Sequence, residues 1–277
     1  SYNASNRLSG SVKVLTTIKA SDATKHYKGS KAYQATYLDS TGNALKNVTV
    51  DITVNGKKYT KTTNSKGVAS LNIDLKPGTY KVSTSNPVTG ENLTTNFKIL
   101  TTVTASDLKK VKGDGRKFTA KFYKSSGKAL SNQNVKVKIN GKTYTHKTNS
   151  KGELKLSFNS FKKGTYKVIC YNKDGLSKIN TVKIYNIATT KLTSSSYTFL
   201  PGDSKVVSVK LTTSFNDNLN SAKTVKLKIG DKTFSKKTDS EGIAKFNLNS
   251  VKKGFYNVEY SYGGTKFIKS SKAKSQI

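Results

Sequence analysis

NVTVDITVNGKKYTKTTNSKG, residues 47–67, holds the pattern that decides the fold. Val48, Val50, Ile52 and Val54 alternate with Thr49, Asp51 and Thr53, a period of two that buries one face of an extended strand. Asn55-Gly56 follows at once. It is the strongest two-residue hairpin signal, because both central positions of that turn need positive φ. KKYTKTT then returns as the partner strand. NSKG closes the next turn, with Gly67 where left-handed geometry is tolerated.

The same stretch comes back twice. TNSKG at 63–67 recurs as TNSKG at 148–152 and TDSEG at 238–242, steps of 85 and 90 residues. VNGKKY (54–59) recurs as INGKTY (139–144) and IGDKTF (229–234), and PGTY (77–80) as KGTY (163–166) and KGFY (253–256). Three markers in fixed order define an internal repeat. VKVLTTIK and KAYQATYL ahead of the quoted stretch, and VASLNI, TYKVSTS and LTTNFKIL behind it, bring the first copy to about seven short strands, the count of a β-sandwich. No segment carries a helical period. The expected fold is therefore all-β: three tandem immunoglobulin-like Greek-key β-sandwiches in an extended array. The expected boundaries are 1–10 for a leader, then 11–100, 101–186 and 187–277 for the repeats.

Tyr80, Tyr166 and Tyr256 each stand two residues ahead of an inward-facing Val82, Val168 or Val258. That is the place of a tyrosine corner, where the phenol bonds backbone upstream and pins the chain. Cys170 shares the parity of Val168 and reads as a buried small hydrophobe, not a nucleophile. As the single cysteine it forms no internal disulfide and leaves the compartment open.

Charge is lopsided, with 50 Lys+Arg against 15 Asp+Glu and a net +35. Residues 1–100, 101–186 and 187–277 carry +9, +16 and +10, and nothing is concentrated into one patch by sequence. Arg7 and Arg116 are the only arginines. Parity sets Lys136 and Lys138, and likewise Lys226 and Lys228, on the face opposite the apolar residues of their strands. Two readings follow. The lysines form a solvated coat that keeps sheet edges unpaired, or they bind acidic polymers. Lysine in place of the bidentate arginine fork weighs for the coat and against specific nucleic-acid reading.

Catalysis needs a placed base or nucleophile with an orienting partner. His26 and His146 lie in different copies with no repeated acid or serine beside them; both are expected at the surface, His146 on the outward side of its strand. DSTGN (39–43) offers one acid, little for calcium, and the second copy reads SSGK there. The expectation is no catalytic, cofactor-binding or metal-binding residue, and no cofactor. Asn3, Asn47 and Asn92 head acceptor triplets for N-glycosylation on an exported chain. No apolar run approaches the ~20 residues of a membrane span; were this a surface protein, its secretion signal and anchor would be expected outside this segment.

The stretch DSTGNALKNVTVDITVNGKKYTKTTNSKGVASLNIDLKPGTYKVSTSNPVTGE (39–91) resembles the repeat unit of adhesin-like surface proteins of methanogenic archaea. Those repeats are similar to the immunoglobulin-like domains of bacterial invasins and intimins, and the grammar also echoes collagen-adhesin B-type and transthyretin-like domains. The second copy matches strongly and the third less so, since its second strand runs into TTSFNDNLNSAK. The resemblance implies a rod of repeats that projects a binding tip or makes surface contacts outside the cell. The partners expected are a surface glycan or protein of another cell, or acidic polymers met by the lysines, and the rod is expected to be monomeric. Collagen-adhesin B-type domains often carry a self-formed Lys–Asn isopeptide bond; Asn96 and Asn180 are the last-strand candidates, but the third copy lacks one and no acid recurs at an inward position. The loops between the second and third strands, and NPVTGEN (86–92), are the expected places of contact.

Overall fold

The computed structural model describes residues 15–214 and 221–277. The expected leader and the triplet at Asn3 lie outside the described residues, as does part of the TTSFNDNLNSAK loop. Every regular element among the described residues is a strand, in three consecutive sandwiches.

The first repeat comprises β1 (Ile18–Lys19), β2 (Ala23–His26), β3 (Tyr33–Tyr37), β4 (Thr49–Val54), β5 (Lys57–Thr62), β6 (Val68–Leu71), β7 (Gly78–Ser85) and β8 (Asn92–Leu100). It folds as a three-stranded sheet, β1-β3-β6, on a five-stranded sheet, β2-β8-β7-β4-β5. The second repeat matches it strand for strand: β9 (Val103–Ala105), β10 (Leu108–Val111), β11 (Phe118–Phe122), β12 (Asn134–Ile139), β13 (Lys142–Lys147), β14 (Glu153–Leu156), β15 (Gly164–Tyr171) and β16 (Ser177–Tyr185). In both, the first strand is split. Its first half pairs antiparallel in the small sheet, and its second half crosses to pair parallel with the last strand. The third repeat has β17 (Thr190–Ser194), β18 (Val206–Thr213), β19 (Thr224–Ile229), β20 (Lys232–Lys237), β21 (Ile243–Asn247), β22 (Asn257–Tyr262) and β23 (Ser271–Gln276). Its large sheet, β20-β19-β22-β23, lacks the parallel strand. There Tyr197 N–H bonds the Gln276 carbonyl at 3.0 Å, and Pro201 lies in the turn that follows.

Each sandwich has its own apolar core, within residues 18–99, 103–184 and 192–268. The alternation of 48–54 does what period two requires: Val50, Ile52 and Val54 are buried, and the residues between them face out. Asn55-Gly56 and Asn140-Gly141 all have positive φ, the type I′ signature.

The recurring TNSKG explains itself residue by residue. The threonine is buried, and its hydroxyl ties the loop ahead of the third strand: Thr63 Oγ1 donates to the Leu45 carbonyl at 2.6 Å and accepts from Val48 N–H at 2.9 Å. Thr148 makes the matching bonds to Leu130 and Gln133. The Asn64 side chain accepts from the backbone of Lys66 and Val68. At Gly67, with φ +72°, a Cβ would lie 2.6 Å from the Tyr37 carbonyl, and Gly152 stands in the same way against Phe122. No larger residue fits.

The sandwich ends are held by polar side chains. Asn86 is fully buried and donates to the Leu38 and Thr17 carbonyls at 2.8 and 3.2 Å. Asn172 donates to Tyr123 and Thr102 carbonyls, both at 2.9 Å. Beside them a carboxylate takes the threonine hydroxyl of the arriving chain, Glu91 with Thr17 and Asp174 with Thr102. Where the first strand crosses between sheets, Asp22 accepts from Asn96 N–H at 2.7 Å and Asp107 from Thr181 N–H at 2.9 Å. These amide donors hold both carboxyls below their ordinary range. Asn96 and Asn180 thus face aspartates.

At the opposite end Lys110 is fully buried, its Nζ donating to the Arg116 carbonyl at 3.0 Å and to Asn159 Oδ1 at 2.7 Å. Lys25 repeats this, reaching the Gly29 carbonyl at 3.1 Å. Burial lowers the Lys110 pKa.

Removing the end tie should cost more than removing one outward lysine. Asn172→Ala takes the side-chain donor from the Tyr123 carbonyl and leaves the Thr102 carbonyl with the Tyr123 N–H alone. It is expected to destabilise the second repeat by about 1–3 kcal/mol, whereas Lys167→Ala should stay within about 0.5 kcal/mol. Urea unfolding of the two variants measures the difference; equal stabilities would contradict it.

Candidate binding face

The three tyrosines sit at the corners. Tyr80 Oη donates to the Lys76 carbonyl at 2.6 Å, Tyr166 to Lys162 at 3.0 Å and Tyr256 to Lys252 at 3.1 Å. The ring folds back over the glycine two residues earlier: a Cβ on Gly78 would sit 3.2 Å from Tyr80 Oη. The Gly-x-Tyr marker is one device. Cys170 is buried in the second core, and desolvation pushes its thiol up to about 11.

The histidines depart from expectation. His146 stands opposite Val135 in the β12–β13 ladder, so the two point to the same side, the side of the core. It is half-buried, its ring 6.3 Å from Tyr144. Residues 144 and 146 share parity and must share a face. His26 packs its ring 5.6 Å from Tyr123 of the second repeat, and a Cβ on Gly127 would meet the imidazole at 2.8 Å. It belongs to a contact between repeats.

Chemistry on offer is concentrated on the outward faces of the large sheets, and these faces differ. Residues directly opposite in a ladder point the same way. In the second repeat Lys109 faces Lys183, Lys167 faces Thr181, Lys138 stands beside Ile169 and Ile179, and Lys136 beside Tyr171 and Ser177. Lys147 completes the set opposite Asn134. The face has six lysines and neither Asp nor Glu; Asp107 lies at its edge, held in the strand crossing. At the centre Ile179 is 57% exposed and Tyr171 36%. The matching first-repeat face pairs Lys58 with Asp51 at 2.6 Å, and the matching row to Ile169–Ile179 is Ser83–Thr94. The third-repeat face carries Glu259 among its lysines, bridged to Lys272 at 3.2 Å. At that repeat's end, Lys223, Lys226 and Lys272 line an open cleft of about 630 Å³ with Ser261, Tyr262 and Thr265.

The expected contact loop 86–92 is mostly structural. Asn86 and Glu91 hold the sandwich end, and Val88 protrudes, 59% exposed. Asp39 likewise turns its carboxylate onto Thr41 and Asn43 of its own loop. Asn47 and Asn92 are both exposed. Among the described residues no three His, Cys, Asp or Glu are grouped.

No family model matches the chain, and no curated protein matches it. Among solved structures it is similar to the D0–D1 domains of intimin, at 21% identity over 61% of this chain and 96% of that one, with a TM-score of 0.28. It is similar to SGBP-B of the Bacteroides ovatus mixed-linkage glucan utilization locus, solved with a mixed-linkage heptasaccharide, at 16% identity and a TM-score of 0.27; 93% of this chain spans 65% of that one. Extracellular domains 3–5 of Drosophila OTK give 12% identity over 95% of both chains and a TM-score of 0.27.

The Cys170 thiol should be inert while the fold persists. At pH 8 a thiol reagent is expected to leave it unmodified over hours in buffer and to label it fully in denaturant. Rapid labelling of the folded chain, read by intact mass, would contradict the burial.

Proposed function

We propose that this chain is a non-enzymatic segment of an extracellular, cell-surface protein, an adhesin-like stalk that mediates or spaces attachment to other cells or surfaces. The reading takes the repeats as domains at about 11–100, 101–186 and 187–277. The observation that carries it is the way the repeats are joined. β8 ends at Leu100 and β9 begins at Val103, leaving two residues between sandwiches. A ring contact fills that junction, His26 on Tyr123, with Gly127 too close to the imidazole for any side chain. At the next junction Phe267 lies against Gly113, where a Cβ would meet its ring at 2.6 Å. Short links with packed joints favour a semi-rigid rod over beads on a string. The repeat's resemblance to archaeal adhesin-like proteins agrees with this.

A second reading, attachment to acidic polymer through lysine faces, is favoured by one observation: the middle repeat's large sheet presents cations with no acid among them. It is compatible with the first, since a stalk can hold to a surface along its length.

Small-angle scattering tests the stalk. Three sandwiches of strands up to nine residues long, at about 3.3 Å per residue, give a rod near 100 Å and a radius of gyration of about 30 Å. A single compact body of this length gives about 19 Å. Gly127→Val should lower the average extension by loosening the first joint without unfolding either repeat. A compact wild-type particle would overturn the proposal.

A further inference from the structure

We infer that the outward face of the second repeat's large sheet binds a linear acidic polysaccharide, with its anionic groups on the lysines and the apolar faces of its sugar rings on Ile179, Ile169 and Tyr171. The inference rests on the reading of the chain as a surface segment and names the partner of its face.

Three features of the face select this partner. Its charge is of one sign: Lys109, Lys136, Lys138, Lys147, Lys167 and Lys183 point outward with no carboxylate among them. The solvated-coat reading would permit lysines but gives no reason for an aliphatic centre. An exposed aliphatic side chain such as Ile179, with half-buried Ile169 beside it, is a liability on a free sheet face that the first repeat avoids, with polar Ser83 and Thr94 in the same row. Here Ile169 and Ile179 stand directly opposite one another, with Tyr171 one row away. Apolar groups ringed by cations suit a ligand that is itself amphipathic and anionic.

Spacing agrees. Neighbouring strands lie about 4.8 Å apart and outward residues on one strand about 6.6 Å apart. The lysines therefore form a grid that meets an extended polymer at several successive units. Such contacts are weak singly and add along a chain.

Two other polyanions fit less well. Nucleic acid favours arginine forks or a row of stacking aromatics; the face has Tyr171 at its centre and Tyr185 at its rim, and Arg116 is tied to Asp114 at 2.6 Å elsewhere. An anionic membrane needs apolar groups that reach below the headgroups. Ile169 and Ile179 sit on a strand face among lysines of at least their own length, and no loop carries them forward.

The test uses the whole chain and polygalacturonate as probe, with uncharged dextran, duplex DNA and phosphatidylserine vesicles beside it, at 50 and 150 mM salt. Polygalacturonate is expected to bind and dextran not. Lys136→Gln with Lys138→Gln and Lys183→Gln should weaken binding at least tenfold and lower the slope of log affinity against log salt by about 2. Ile179→Ser with Tyr171→Ser should weaken binding several-fold and leave the salt slope unchanged, which a simple charge coat does not predict. Lys58→Gln with Lys81→Gln and Lys98→Gln on the first repeat should change little. All these residues are outward, and thermal unfolding confirms that each variant is folded. The inference is overturned by absent polygalacturonate binding, by equal loss in the first-repeat variant, by indifference to the Ile179/Tyr171 change, or by tighter binding of DNA or vesicles. None of these outcomes touches the stalk, which the scattering decides separately.

Discussion

The pleat of the strand is the constraint from which the rest of this molecule follows. With apolar residues scarce, each sandwich closes on one narrow layer, and the layer is reached only through alternate positions. Val135, Val137 and Ile139 fill the second core from β12, and Lys136 and Lys138 are turned outward by the same geometry. Inward positions are fixed by packing and outward ones are free to carry any chemistry that water tolerates. Repeats alike inside can thus differ outside. The first repeat shows Asp51, Thr53 and Ser83 where the second shows Lys136, Lys138 and Ile169.

A two-layer sandwich is open at both ends, and the ends are where this chain places its buried polar groups. Asn86 and Asn172 tie the entering strand to the neighbouring turn, and Lys25 and Lys110 cap carbonyls at the far end. Asn86, Asn172, Lys25 and Lys110 each find a partner there, as burial requires. In the second repeat the hold falls on Thr102, the residue just ahead of β9 and the last of the two-residue link from the repeat before. The joint between the first two repeats therefore sits directly on the cap of the second sandwich, which is the feature the proposed stalk relies on.

Much of this was legible from residues 47–67 and their two returns. Strand positions, hairpin turns, the burial of Cys170 and the corner placement of the tyrosines all depend on local alternation and turn chemistry, which a sequence carries directly. What stayed hidden depends on partners far along the chain. Asn172 gives no sign of reaching Thr102 and Tyr123, and Lys110 stands among lysines that face water. A signal did exist: Ala-Ser-Asp at 20–22 and 105–107, followed three residues on by Lys25 and Lys110, repeats with the same 85-residue step. A lysine recurring at an inward parity points to a capped cation. His146 was misplaced by parity alone, and His26 because a single repeat does not reveal its neighbour. The lysine face of the second repeat was visible only as charge; its aliphatic centre needed the β15–β16 register, which sets Ile169 against Ile179.

The most direct measurement is lysine acetylation footprinting by mass spectrometry, on the intact chain with and without saturating polygalacturonate. Bound polymer should protect Lys109, Lys136, Lys138, Lys147, Lys167 and Lys183 together while Lys58, Lys81 and Lys98 of the first repeat react as before. Protection spread evenly over all three repeats, or confined to the first or third, would contradict it.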